Sequence, residues 1–179
     1  MDKTKNVYVF IGPPSSGKSY LGKRFAEVKE YTFYEADEDY LPEYRERVKT
    51  SKEEIEAVYN EFYSTVINKI KHMLHEFNKP VVVATAIGRE KNRQRFIYDF
   101  GDDLVLIYVK SPYEKLISNA INVEFPKLAA VTKLPDEKAK EITEHLTKKY
   151  HNYEIPRDVI VIENDYTETT FTKLLKLVQ

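Results

Sequence analysis

Eight consecutive residues, Gly12-Pro13-Pro14-Ser15-Ser16-Gly17-Lys18-Ser19, carry the pattern G-x-x-x-x-G-K-[ST] directly behind the apolar run Val7–Ile11. Between a strand and a helix, that pattern is the phosphate-binding P-loop. Its spacing has a physical reason. The loop turns backbone N–H groups inward to ring a polyphosphate, and side chains at the glycine positions would obstruct that approach. Lys18 is then placed to reach the β- and γ-phosphates, and the Ser19 hydroxyl to ligate Mg²⁺. A helix from about Lys18 to Val28 points its positive end at the same anion. The predicted nucleotide-binding stretch therefore runs from Gly12 through Ser19 and includes Tyr20, with ATP and Mg²⁺ as the implied cofactors.

Phosphoryl transfer also needs a carboxylate for the metal or for the acceptor hydroxyl, cations for phosphoryl charge, and an acceptor pocket. These belong at the carboxyl ends of the strands. The second strand ends in Glu35-Ala36-Asp37-Glu38-Asp39. Asp37 is the first choice for the metal-linked carboxylate or the acceptor base, then Glu35, then Asp39; the alternative is a solvated acidic turn. The third strand leads into Thr85-Ala86-Ile87-Gly88-Arg89, followed by Arg93 and Arg95. Arg89 and Arg93, four apart, share a face if helical. Guanidinium groups there suit an anionic acceptor or transition-state charge; the alternative is a solvent-facing basic helix. Gly88 is expected to permit an unusual backbone turn, and Thr85 to orient a hydroxyl or water. Arg45 and Arg47 lie in the aperiodic stretch Tyr40–Thr50, which reads equally as an acceptor-closing flap or as exposed surface. His72, His75, His145 and His151 lack a metal-ligand pattern and read as surface.

The bulk composition sets bounds on these readings. A chain of 179 residues with 42% hydrophobic and 32% charged residues fits one soluble domain with a substantial core. The net charge of −1 gives no global reason to expect nucleic-acid or membrane binding. There is no cysteine, so disulfides and thiolate metal sites are excluded, which suits a cytoplasmic location.

The elements that must position the site are legible as runs. Val7–Ile11, Tyr31–Glu35, Pro80–Ala84, Leu104–Val109 and Val159–Ile162 read as strands, four of them apolar enough to be buried on both faces of a parallel sheet. Between them, Ser51 to Phe77 repeats apolar residues at three- and four-residue steps and reads as a helix. Ser51-x-x-Glu54, Ser111-Pro112-x-Glu114 and Asp165-x-x-Glu168 predict three capped helix starts, with Pro112 at the first helical position. Alternating βα units behind a P-loop predict a single three-layer α/β/α domain.

Taken together, these residues resemble the small-molecule kinases of the P-loop nucleoside-monophosphate-kinase-like group, especially gluconate kinases and, more distantly, shikimate kinases. The matching pieces are Phe10–Ser19 (FIGPPSSGKS), Phe33–Pro42 (FYEADEDYLP), Val81–Arg93 (VVVATAIGREKNR) and Leu104–Leu116 (LVLIYVKSPYEKL). The resemblance implies a five-stranded parallel sheet in order 2-3-1-4-5, an acceptor-binding flap at about 38–60 and a short lid at about 118–133. It places Asp37 at the acceptor or metal position and Arg89 at the acceptor position. The chain departs from the family at Ala36 and Gly88, and between Phe96 and Pro156 it has no arginine. Lys127 and Lys133 are the only cations offered in or beside the expected lid.

Three functions remain open on the sequence. The leading one is an ATP- and Mg²⁺-dependent kinase of a small-molecule acceptor, a sugar acid among the candidates. Lys18, Asp37, Arg89 and Arg93 are its predicted catalytic residues, Ser19 and Asp37 its metal ligands, and Glu35, Asp37, Arg45 and Arg89 its acceptor contacts. The second is a polynucleotide 5′-hydroxyl or nucleotide kinase using the Arg89, Arg93, Arg95 cluster, disfavoured by the absence of net positive charge. The third is an ATP-binding regulatory module with little transfer.

Overall fold

The computed structural model describes residues 6–120, 122, 137, 140, 141, 144, 145, 148, 155–157 and 159–178. Five parallel strands, β1 (Val7–Ile11), β2 (Thr32–Glu35), β3 (Val81–Ala84), β4 (Leu104–Lys110) and β5 (Ile160–Glu163), form one sheet in the order β2-β3-β1-β4-β5. This is the predicted three-layer arrangement and strand order, and each strand lies within one residue of its predicted span. The helices described over continuous spans are α1 (Lys18–Lys29), α2 (Pro42–Arg47), α3 (Lys52–Phe77), α4 (Glu90–Phe100), α5 (Tyr113–Asn119) and α6 (Glu168–Leu177).

Strand alternation sorts the core. Along β1, Val7, Val9 and Ile11 face one side and Tyr8 and Phe10 the other, as the two-residue period of a strand requires. On the first side α3 lays down Val58, Phe62, Tyr63, Val66 and Ile70, joined by Phe96 of α4. On the second, Leu21 and Phe25 of α1 and Phe171 and Leu174 of α6 close the layer. Each such side chain contributes about 1.5–3 kcal/mol on burial, which fixes the sheet and therefore the strand ends that carry the chemistry.

Of the three predicted caps, one forms. Ser51 accepts a hydrogen bond from the Glu54 N–H at 3.1 Å and opens α3. The Glu54 carboxylate takes Arg47 Nε at 2.9 Å. Ser51→Ala should lower stability by about 1 kcal/mol, read as a drop in thermal midpoint; an unchanged midpoint would show that the cap contributes nothing. The other two starts are corrected. Pro112 occupies the N-cap position of α5, outside the first turn, and the Ser111 hydroxyl caps nothing. It donates instead to the Ser16 carbonyl at 3.0 Å. α6 begins after Thr167, and Asp165 accepts from the Thr167 N–H and the Thr167 and Thr170 hydroxyls. The Glu168 carboxylate goes to Arg24. At α5 a carbonyl 95 residues earlier takes the hydroxyl, and at α6 Arg24 takes the Glu168 carboxylate while Asp165 keeps partners two and five residues away.

The stretch Tyr40–Thr50, aperiodic in sequence, contains α2. Pro42 occupies its first turn, and the buried ring of Tyr44 anchors it against Tyr40 and Phe62. Among the described residues, no helix is long and apolar enough to cross a membrane.

Candidate active site

The P-loop spans the gap between β1 and α1 at the carboxyl edge of the sheet. Gly17 is the N-cap of α1 with φ 88°, and Gly12 has φ 153°. Neither position has room for a side chain. A Cβ on Gly12 would stand 2.6 Å from the Val109 carbonyl oxygen, and one on Gly17 would stand 2.3 Å from the Asn164 side-chain amide. The loop suits a phosphate chain on two further counts. The Ser15 and Ser16 hydroxyls are buried and have no hydrogen-bond partner among the described residues, so each is a polar group awaiting a ligand. Lys18, 8% exposed, has its ammonium 3.5 Å from Asp37, close enough for attraction yet free to serve an incoming anion.

The acidic run after β2 separates into three environments. Glu35 is hydrogen-bonded by the Ser19 hydroxyl. Burial raises its carboxyl above the ordinary range, the Ser19 bond opposes the rise, and the neighbouring Asp37 charge adds to it. Asp37 Oδ1 accepts from the buried Thr85 hydroxyl at 3.0 Å and from the Ala86 N–H at 3.1 Å. Its other oxygen is the one facing Lys18. The predicted metal pair was Ser19 with Asp37; the carboxylate that meets Ser19 is Glu35. Thr85 orients this carboxylate, and Tyr63 holds the same turn by donating to the Ala86 carbonyl at 3.1 Å.

Asp39, the third candidate, faces elsewhere. It accepts from the Tyr34 hydroxyl at 2.6 Å and from Lys69 at 2.7 Å. Burial alone would push its carboxyl up, but those bonds hold it below the usual carboxylate range. A carboxyl lowered on folding stabilises fully above its unfolded value and loses that contribution as pH falls through the folded one. The stability gap between the parent and Asp39→Asn should therefore be widest near neutrality and shrink below about pH 4. A gap that stays constant into acid would contradict this pairing.

The arginine cluster fans out to three destinations. Arg89, the N-cap of α4, pairs with Glu56 of α3 and lies 4.7 Å from the centre of the Tyr59 ring; Lys91 pairs with the same carboxylate. Arg93 donates to the Gly88 carbonyl at 3.3 Å and lines a cavity of about 360 Å³ with Leu106, Ile155, Arg157 and Val159. Arg95 turns back to the Asn60 carbonyl and the Ser64 hydroxyl on α3. Gly88, expected to permit an unusual turn, does not take a positive φ; a tight turn centred on Ala86 precedes it, where the Ile87 N–H donates to the Thr85 carbonyl. In the stretch predicted as a flap, Arg47 is clamped by Glu54 and Glu61. The Arg45 side chain, Lys127, Lys133 and most of the predicted lid lie outside the described residues. His72 is exposed beside Glu76.

Three residues absent from the predictions complete the site. Ser111, Asn164 and Tyr166 all reach P-loop carbonyls from the ends of β4 and β5. Nothing in their local sequence marks them, because their partners lie some 95 to 151 residues away.

The family of the chain is given by its similarity to known proteins. The shikimate kinase family profile matches residues 14–179. A shikimate kinase of Clostridium botulinum is 28% identical over 169 residues, covering 92% of this chain and 91% of the relative. Another from the same species is 31% identical over 122 residues, covering 65% and 66%. Among solved structures, a gluconokinase from Sinorhizobium meliloti superposes with a TM-score of 0.65 at 14% identity, over 98% of this chain and 95% of its own. The shikimate kinase of Acinetobacter baumannii, solved with shikimate, does so with a TM-score of 0.55 at 19% identity, over 98% and 93%. At those identities the superpositions speak for the fold alone. With the family profile covering the loop from Pro14 onward, the acidic turn and α4, the chain belongs to the shikimate kinase family and is an ATP-dependent phosphotransferase acting on a small molecule.

Proposed function

We propose that the chain moves the γ-phosphoryl group of ATP to a hydroxyl of a small polyhydroxylated carboxylic acid, of the kind named for its relatives: shikimate or gluconate. The observation that carries this reading is Asp37, a carboxylate fixed by Thr85 and Ala86 with its free oxygen toward Lys18. A base held rigidly beside the phosphate-binding lysine is suited to accept the proton of an attacking hydroxyl.

The residues divide the work as follows. Lys18 and the loop amides hold the phosphates, Pro13 and Pro14 shape the turn, and Tyr20 borders the nucleotide. Ser19 and Glu35 offer Mg²⁺ a hydroxyl and a carboxylate oxygen, the hard donors it takes while keeping waters and phosphate oxygens as its other ligands. The bound ion would neutralise charge on the β- and γ-phosphates. Asp37 takes the acceptor's proton as the new O–P bond forms and the bond to the departing ADP breaks; the proton then passes to solvent. Arg89 would bind the acceptor carboxylate by exchanging its Glu56 partner, with Arg45 and Arg93 as further cationic contacts. A reducing cytoplasm is the proposed setting for this chain without cysteine.

ADP release with Mg-ATP should rise on adding shikimate or gluconate and stay at background with nucleosides, nucleoside monophosphates and a 5′-hydroxyl oligonucleotide. Stimulation by the oligonucleotide or a nucleotide instead would replace the acid acceptor with that class.

A further inference from the structure

We propose that Tyr166, with Asn164 and Ser111, is a positioning residue that presets the P-loop by holding its outward carbonyls. The proposal rests on the kinase reading above, and it concerns the nucleotide half of the site alone.

A trans peptide fixes its C=O and the next N–H in opposite directions. Holding a carbonyl on the outside of the loop therefore aims the following N–H the other way. The Ser16 carbonyl receives two donors, Asn164 Nδ2 at 2.8 Å and Ser111 Oγ at 3.0 Å. Both side chains are 2% exposed, so these bonds are made away from competing water. They orient the Gly17 N–H, the amide at the start of α1. The Ser15 carbonyl receives the Tyr166 hydroxyl at 2.6 Å, while the N–H of the same peptide, on Ser16, donates to the Pro13 carbonyl at 3.2 Å. Two consecutive peptides of the loop are thus tied from outside.

Tyr166 is held in place at a cost. Its φ is 64°, a left-handed conformation that a bulky residue seldom takes. The turn is over-determined around it. Asn164 Oδ1 accepts the Tyr166 N–H at 2.9 Å, the Asn164 N–H donates to the Lys110 carbonyl at 2.7 Å, and Lys115 donates to the Asp165 carbonyl at 2.6 Å. Asp165 then accepts three further bonds from Thr167 and Thr170. Strain that the surroundings impose on one side chain, whose tip lands on the phosphate loop, points to positioning. Ser15 itself is left-handed, with φ 63°, and the tyrosine hydroxyl ties the carbonyl of that residue.

The test uses the full chain carrying Tyr166→Phe, which removes one O–H and keeps the ring, and Ser111→Ala as a second variant. ATP and inorganic tripolyphosphate are titrated calorimetrically into each, with tripolyphosphate also run as a competitor of ATP. Both ligands should bind about 3- to 10-fold more weakly to each variant, by the same factor, because a single lost hydrogen bond loosens the phosphate cradle. Loss confined to ATP would make Tyr166 a contact to the nucleoside and overturn the proposal. Unchanged affinities for both ligands would overturn it as well, as would a parent chain that binds neither. The readout needs no acceptor, so a chain that binds ATP and phosphorylates neither acid refutes the proposed acceptor while leaving this result to be read separately.

Discussion

Lys18→Ala should lower turnover by about 10²–10³-fold or more while the protein stays folded. The argument starts from burial. Lys18 is 8% exposed at the first turn of α1, and its only described ion-pair partner is Asp37, at 3.5 Å. An ammonium so placed, in the same loop as two orphaned serine hydroxyls and at a helix N-terminus, is suited to the charge that builds on transferring phosphoryl oxygens. Removing it leaves Asp37 anchored by Thr85 and Ala86, so the sheet edge should survive. The check is steady-state kinetics beside circular dichroism. A folded variant with near-parental kcat would refute the role given to this loop.

Asp37→Asn should lower kcat by about 10²–10⁴-fold and leave the KM for ATP nearly unchanged. Asparagine can still accept from Thr85 and Ala86 through its carbonyl oxygen, so the turn is kept. What disappears is the negative charge toward Lys18 and the capacity to take a proton. Glu35→Gln, by contrast, should raise the Mg²⁺ concentration needed for half-maximal rate, since Glu35 is the carboxylate bonded to Ser19. The opposite pattern, with Asp37→Asn shifting the Mg²⁺ requirement and Glu35→Gln lowering kcat, would exchange the two roles.

The division between legible and hidden features follows sequence distance. The P-loop, the five strands and α3 declare themselves through local patterns: glycines at fixed spacing, apolar runs, and a three-to-four residue period. The sheet order needed the family resemblance, because strand neighbours are set by crossovers that a local pattern does not contain. Glu35 and Asp37 of the acidic run were visible as carboxylates, but their environments were not. Which one meets Ser19 depends on how β2 hands over to the tight turn at Ala36–Asp39. Arg89 stood out as a cation, while its pairing with Glu56 depends on how α4 packs against α3. The serine at 111 shows the limit most clearly. Its Ser-Pro-x-Glu setting reads as a helix cap, yet the hydroxyl satisfies a carbonyl 95 residues earlier.

The clustered arginines show a related effect. In sequence, Arg89, Arg93 and Arg95 read as one basic stripe. In the structure their partners are a carboxylate, a backbone carbonyl at the start of α4, and the side of α3. The acid acceptor proposed for Arg89 would have to displace Glu56 from the guanidinium, so the existing ion pair lowers its affinity.

The most direct test of the central claim follows the phosphorus itself. Phosphorus NMR of Mg-ATP with the protein and shikimate or gluconate should show the γ-phosphate signal replaced, one for one with ADP, by a phosphate monoester on the acid. Mass spectrometry would confirm one added phosphoryl group. ADP appearing with inorganic phosphate alone, at a rate indifferent to either acid, would contradict transfer to these acceptors and leave an ATPase.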